Sequence, residues 1–319
     1  MTLDITTVTT ALGDYFRKNR QTLMGSMYYD MESYKYMTKI PGVKDELVGI
    51  GVVIDELHQA FQCDFVPKTN AEFTPVINKV HPWMIDVEFK CWETLEQTYL
   101  GWLLEEKQLA AGKPQDTTLG RFLWDQIIQK AKEERELYAG TAQRVAPTTG
   151  VPGAVTAAWD GFLTVLADLI TAGAGVNIIP TGAIVPVGAF TQVEGFMRSL
   201  PPKYRNISDK VLTSYAISEN VDVDFRNQFP YQVASGDRVT ASRFTGTNAT
   251  LQPLISMGTS GRLLFTPKSN FLHMFDFIDG PDTSTYQVIQ DIGKVKIRIQ
   301  GKLGFGFDNP REVFCNDQP

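Results

Sequence analysis

The chain has 319 residues, of which 43% are hydrophobic and 21% charged, the balance of a soluble globular protein with enough length for one large domain or two medium ones. A net charge of −6 without any block of Lys and Arg argues against an electrostatic grip on nucleic acid. Cys63, Cys91 and Cys315 are too scattered for a disulfide framework or a zinc site, whose ligands come in close pairs, and are expected to be reduced and unlinked, as in a reducing cytoplasm.

The opening MTLDITTVTT has neither the basic start nor the apolar run of a secretory signal. Val8, Leu12, Tyr15 and Phe16 recur at helical spacing and predict a short amphipathic helix. The run SMYYDMESYKYMTK has no clean period and reads as an extended arm lying on something else. From 63 to 90 the texture is β: Ile85, Val87 and Phe89 alternate with Asp86, Glu88 and Lys90, PKTN and HP supply turns, and an extended hairpin is expected. Trp92, Leu95, Tyr99, Trp102 and Leu103 predict a helix that ends before a loop at 110–114.

The strongest helical signal covers 118–138, with Leu119, Phe122, Leu123, Ile127, Ile128, Ala131 and Leu137 on one stripe. Gly140 stops it, and TAQRVAPTTGVPG is the best boundary candidate in the chain. The next unit opens with a helix near 159–170. Its longest apolar stretch, 176–190, is broken by Pro180, Gly182, Pro186 and Gly188 and is too short to span a membrane. A second helix there carries Phe190, Val193, Phe196, Met197 and Leu200 on one face and ends at Pro201 and Pro202. A strand at 211–215 precedes a short helix that Ser218 can cap, carrying Val221 and Phe225. Strands follow at 263–265 and 271–277 and in KVKIRIQGK, where Val295, Ile297 and Ile299 alternate with Lys294, Lys296 and Arg298.

Chemistry-bearing constellations are sparse. His58, His81 and His273 are the only histidines; none sits in a metal-binding or triad context, His81 reads as a turn residue before Pro82, and His273 as a core imidazole. Gly173, Gly175, Gly182 and Gly188 fit no phosphate-loop spacing and read as turn formers. The pairs Asp222 with Asp224 and Asp279 with Asp282 lack a calcium-loop pattern and read as solvated turn or cap residues. The basic face of KVKIRIQGK suits contact with DNA or, equally, a charged strand edge that prevents stray pairing. No catalytic, cofactor-binding or metal-ligating residue is assigned, no cofactor is expected, and the chain reads as a non-enzyme.

The succession of segments resembles the major capsid protein of tailed double-stranded DNA phages, the Hong Kong ninety-seven type. FTPVINKVHPWMIDVEFK is similar to that family's extended loop, TLGRFLWDQIIQKAKEERELYAG to its spine helix and FMRSLPPKYRN to an axial-domain helix. LLFTPKSNFLHMFD and IRIQGKLGFGF are similar to its returning strands. The resemblance implies an α+β fold with an N-terminal arm and helix at 1–62 and an extended loop, a β-hairpin, at 63–90. A peripheral domain with the spine helix would follow at 91–154, an axial domain at 155–253 and returning strands at 254–319.

It further implies self-assembly into hexamers and pentamers that form an icosahedral shell around packaged double-stranded DNA of a tailed phage or prophage, without sequence-specific DNA binding or a membrane. Portal, scaffold, maturation protease and decoration proteins are the implied partners, the virion the implied location, and the host bacterial cytoplasm the place of assembly. Some members of the family join an extended-loop lysine to a neighbour's asparagine with the help of a buried glutamate; Lys68 or Lys79 could stand at the first position and Asn270 or Asn309 at the second. Two other readings are a cellular nanocompartment shell of the same fold and a soluble small-molecule enzyme with dispersed active-site residues.

Overall fold

The computed structural model describes residues 10, 13–15, 17–19, 22–23, 27, 31–53, 58–61, 68, 72–89, 119–205, 210–229, 244, 248–276, 286–291 and 294–319. In chain order these residues form strands β1 (Thr38–Pro41), β2 (Glu46–Val53), β3 (Glu72–Lys79) and β4 (His81–Phe89), helices α1 (Leu119–Tyr138) and α2 (Phe162–Thr171), and strand β5 (Asn177–Ile179). Helices α3 (Ala189–Ser199) and α4 (Pro202–Arg205), strand β6 (Lys210–Thr213) and helix α5 (Tyr215–Gln228) follow. The chain closes with β7 (Thr250–Pro253), β8 (Leu264–Phe265), β9 (Phe271–Asp276), β10 (Tyr286–Asp291), β11 (Lys294–Phe307) and β12 (Phe314–Asn316). These elements fall into two compact units, each drawn from three stretches of chain.

The first unit comprises 1–31, 82–135 and 276–302. Residues 10, 13–15, 17–19, 22–23 and 27 are helical, and the expected apolar positions Val8, Leu12 and Phe16 lie outside the described residues, as do the helix at 92–103 and its following loop. In α1, Leu123, Trp124, Ile127, Ile128, Ala131 and Arg135 are buried, a stripe repeating every three to four residues as an amphipathic helix requires. Leu137 was expected on that stripe and is instead 41% exposed; its place is taken by Trp124 and by Arg135, whose guanidinium lies 4.1 Å from the centre of the Trp83 ring and donates to the Met27 carbonyl at 3.2 Å. The side chains of Leu119 and Phe122 lie outside the described residues. Strand β10 pairs antiparallel with β11 from Tyr286↔Ile299 to Asp291↔Lys294, and β4 pairs with β11. Val295, Ile297 and Ile299 are buried and alternate with Lys294, Lys296 and Arg298, the half-buried pattern expected of this strand.

The second unit comprises 32–81, 136–275 and 303–319. Its largest sheet has the order β5-β12-β8-β6-β7, with β6 and β7 parallel and β6 and β8 antiparallel. Val193, Phe196 and Met197 of α3 and Ile217, Val221 and Phe225 of α5 join Val211, Phe265 and Phe314 from the strands in one core. Ser214, not Ser218, occupies the position before α5, and Ser218 lies inside the helix. Elsewhere in the unit β1 runs parallel to β9, β9 neighbours β11, and Phe271 stacks on Phe307 with 5.2 Å between ring centres. Buried Tyr34 stacks on His273 at 3.9 Å, so the expected core imidazole is seated against a residue of the predicted arm.

Close approach of main chains dictates glycine where the chain leaves α1 and enters α2. After α1, a side chain at Gly140 would meet the Ser256 carbonyl and Phe162, and at Gly161 it would meet the main chain of Gly140 and Ala139. Gly173, Gly175, Gly182 and Gly188 all have φ between 66° and 89°, the left-handed region that turns use and other residues avoid.

Candidate assembly surface on the hairpin

The expected hairpin within 63–90 is corrected by the strand pairing. Strand β3 pairs antiparallel with β2, from Glu46↔Lys79 to Val53↔Glu72, whereas β4 pairs with β11. One residue, Val80, separates β3 from β4, too few for a hairpin turn, and Pro82 has no N–H to give a ladder. The partner strand therefore comes from the segment read as arm, and its text ELVGIGVV places β-branched residues alternately with Gly49 and Gly51.

Alternation gives the β2–β3 hairpin two different faces. On one, Leu47 packs against the buried cluster of Val43, Val80, Leu272 and Met274. Gly49 on the same face lies flush against the chain near the end of β11: a Cβ there would stand 2.6 Å from the Asp308 carbonyl oxygen. Asn78, 2% exposed, donates from Nδ2 to the Phe307 carbonyl at 3.0 Å and accepts from the Phe307 N–H at 3.2 Å. Its side chain thus replaces a missing strand partner, and the Val80 N–H donates to the Asp45 carbonyl at 2.9 Å. The root of the hairpin is rigidly seated.

The opposite face is open. Val48 and Ile77 are directly opposed in the register and are 52% and 57% exposed; Pro75 is exposed as well. Glu46 and Lys79, also exposed, close this face at the root. Two β-branched apolar residues paired side by side toward solvent form an adhesive face on a strand pair that its own unit leaves uncovered there.

The other sequence candidates are placed as follows. In the first unit the basic face of β11 is matched by acids of β4: Arg298 makes a two-pronged pair with Asp86 at 2.7 Å on each arm, and Lys294 meets Glu88 at 2.8 Å. The acids of β4 thus occupy Arg298 and Lys294, and the expected strand edge is corrected: β10 and β4 both pair with β11, so it is not an edge. His58 is exposed, and its carbonyl accepts from Lys68 at 3.3 Å. His81 is the first residue of β4 and not a turn residue; it is 7% exposed and lies between Asp160 and Arg144. Asp224 is buried, not solvated: it accepts from the Phe190 N–H at 2.9 Å and from Gln228 at 2.8 Å, so one helix supplies the anion at the start of another. Burial also pushes the Asp222 carboxyl up, with Arg226 opposing. Asp279 and Asp282 lie outside the described residues.

Asn270 and Asn309 are brought together within one chain. The Asn270 amide, 3% exposed, donates to Thr266 Oγ1 at 2.9 Å and the Asn309 carbonyl at 3.0 Å and accepts from the Asn309 N–H at 2.6 Å. Asn309 Oδ1 in turn accepts from the Arg311 N–H at 3.1 Å. Those bonds fix a chain corner and leave Asn270 poorly placed to react with a neighbour's lysine. Cys315 is a buried free thiol whose pKa is raised by burial; Cys63 and Cys91 lie outside the described residues.

No family model matches the chain, and no curated protein does so. Solved structures do. One is the satellite phage P4 procapsid including size determination (Sid) protein, at a TM-score of 0.62 and 12% identity over 93% of this chain and 90% of that one. Another is the capsid of the native GTA particle, at a TM-score of 0.50 and 12% identity over 88% of this chain and 94% of that one. With strand order, long helix and hairpin in place along nearly its whole length, the chain has the fold of phage capsid subunits, the Hong Kong ninety-seven type.

Proposed function

We propose that the chain is a structural capsid subunit that builds the icosahedral shell around packaged double-stranded DNA of a tailed phage or prophage, assembling through hexamers and pentamers. The observation that carries this reading is the hairpin with a rigid root and an open apolar face, on a chain whose whole-length likeness is to capsid subunits. In this reading α1 is the spine helix of the peripheral domain, and the sheet β5-β12-β8-β6-β7 with α3 and α5 forms the axial domain. The subunit is not an enzyme. It assembles in the host bacterial cytoplasm, resides in the virion and works with a portal and with scaffold, protease or decoration proteins.

The charge distribution supports loose enclosure of DNA. Net charge is −6, and Arg298 and Lys294 of the basic strand are already paired with Asp86 and Glu88, so that strand offers phosphate little to hold and retard packaging or ejection. The test is electron microscopy and sedimentation of the purified chain across concentration and salt, alone and with co-expressed phage partners. Shells, tubes or capsomers are expected. A compact monomer under every condition would overturn the reading, and shells filled with a protein cargo in place of nucleic acid would assign the chain to nanocompartments.

A further inference from the structure

We propose that His81 is a pH-operated clasp that fastens the exposed segment 143–160 to the root of the hairpin. The segment leaves the end of α1 and returns to α2. Two main-chain bonds hold its ends together, Gln143 N–H to the Thr156 carbonyl at 2.8 Å and Val145 N–H to the Ala157 carbonyl at 3.2 Å. Residues 143–154 are exposed throughout, including Val145 at 64% and Val151 at 62%. That exposed stretch has little apolar burial of its own, and buried Trp159 anchors only the returning end of the segment.

His81 supplies the missing fastening. Its Nε2 lies 2.8 Å from Asp160 Oδ2, its Nδ1 is bonded to the Arg144 guanidinium, and Asp160 Oδ1 accepts from the Arg144 N–H at 2.8 Å. The chemistry of the three groups fixes the protons. A guanidinium only donates, so Nδ1 must offer its lone pair; Nε2 then carries the hydrogen and donates to the carboxylate. Only the neutral imidazole in that one tautomer completes the ring of contacts. Adding a proton at Nδ1 turns the acceptor into a donor, breaks the bond to Arg144 and sets two cations side by side.

The charged groups facing the imidazole come from the two ends of the segment and from β3. Arg144 on the segment and Lys79 on β3 oppose its protonation, and Asp160 before α2 favours it. Burial, the largest influence, together with Arg144 lowers the His81 pKa below its ordinary 6.5. The sign follows directly. Opening the segment relieves burial and the Arg144 charge, so the closed-state pKa lies below the open-state one. The clasp is therefore at full strength above the open-state value and weakens as pH falls toward the closed-state value.

The test is hydrogen–deuterium exchange, read by mass spectrometry on the full chain, over peptides covering 143–161 and corrected for intrinsic exchange rates. In the wild type, protection is expected to fall as the pH is lowered from about 7 to about 5, because the closed form holds the lower His81 pKa and protonation favours the open one. His81→Gln presents an acceptor and a donor that do not titrate, so its protection should stay flat. Arg144→Met removes the cation, lets protonated His81 pair with Asp160, and should abolish or reverse the acid loosening. Unchanged protection in the wild type overturns the proposal. So does acid loosening of wild-type size in His81→Gln or, should that variant fail to fold, in Arg144→Met.

Discussion

Replacing Val48 and Ile77 together by Thr tests whether the open face of the hairpin binds a second copy of the chain. Both side chains keep a little over half their surface in solvent, 52% and 57%. Complete burial of a Val or Ile is worth about 1.5–3 kcal/mol, so covering the exposed part gains roughly 1 kcal/mol each and about 2 kcal/mol for the pair. Threonine keeps the branched shape and the strand preference but brings a hydroxyl that a dry interface must leave unsatisfied. At about 1.4 kcal/mol per factor of ten, each subunit contact should weaken roughly 30-fold. Light scattering and sedimentation across protein concentrations should show shells appearing at a concentration at least about 30-fold higher. Unfolding of the single chain in urea should shift by no more than about 0.5 kcal/mol, because exposed positions support little of the fold. Shells at the wild-type concentration would refute the role of this face, and a collapse of single-chain stability would show that it supports its own unit.

Gly49→Ala should destabilise the chain by about 1–3 kcal/mol in urea titrations, since the new methyl group would stand 2.6 Å from the main-chain oxygen of Asp308 and neither partner is a flexible side-chain end; wild-type stability would mean the hairpin root is not seated as described. Glu136 accepts from the Ser33 N–H at 3.1 Å and from its hydroxyl, and burial pushes its carboxyl above the ordinary 4.5. The folded state therefore binds that proton more tightly than the unfolded one, so the group's contribution is largest in acid and is lost as pH rises through its folded value. Glu136→Gln keeps an acceptor and drops the charge; it should resist urea better than the wild type near pH 7 and lose the advantage near pH 4, and equal stability at both would contradict this account.

Elements set by local pattern were legible in the sequence. The part of the α1 stripe from Leu123 to Ala131, the run Phe190 to Leu200 and the alternation in KVKIRIQGK each carry their period within a dozen or so residues, and the structure keeps them. Pairing was not legible, because strand partners depend on contacts remote in sequence. Ile85, Val87 and Phe89 alternate equally well beside β3 or beside β11, and the single-residue gap at Val80 and the missing N–H of Pro82 tell against the nearer partner. The open face was missed for a related reason. Val48 and Ile77 look like ordinary core residues until the register sets them opposite each other and Gly49 turns the other face inward. Asp224 and His81 read by residue type as a solvated group and a turn group, and burial reverses each once a helix start or an Asp–Arg pair stands beside it.

The interleaving of the two units constrains the order in which the chain can fold during synthesis. The first unit waits for 276–302 and the second for 303–319, and β1 cannot find β9 until Phe271–Asp276 has been made. Neither unit can close before residues 276–302 have been made, and such long-range pairing is slow. Throughout that interval the hairpin lacks the seat that Phe307 and Asp308 provide, and its strands are adhesive before they are correctly held. Neighbouring nascent chains on one message therefore meet before the hairpin is seated, the interval in which unpaired strands are most prone to mispair.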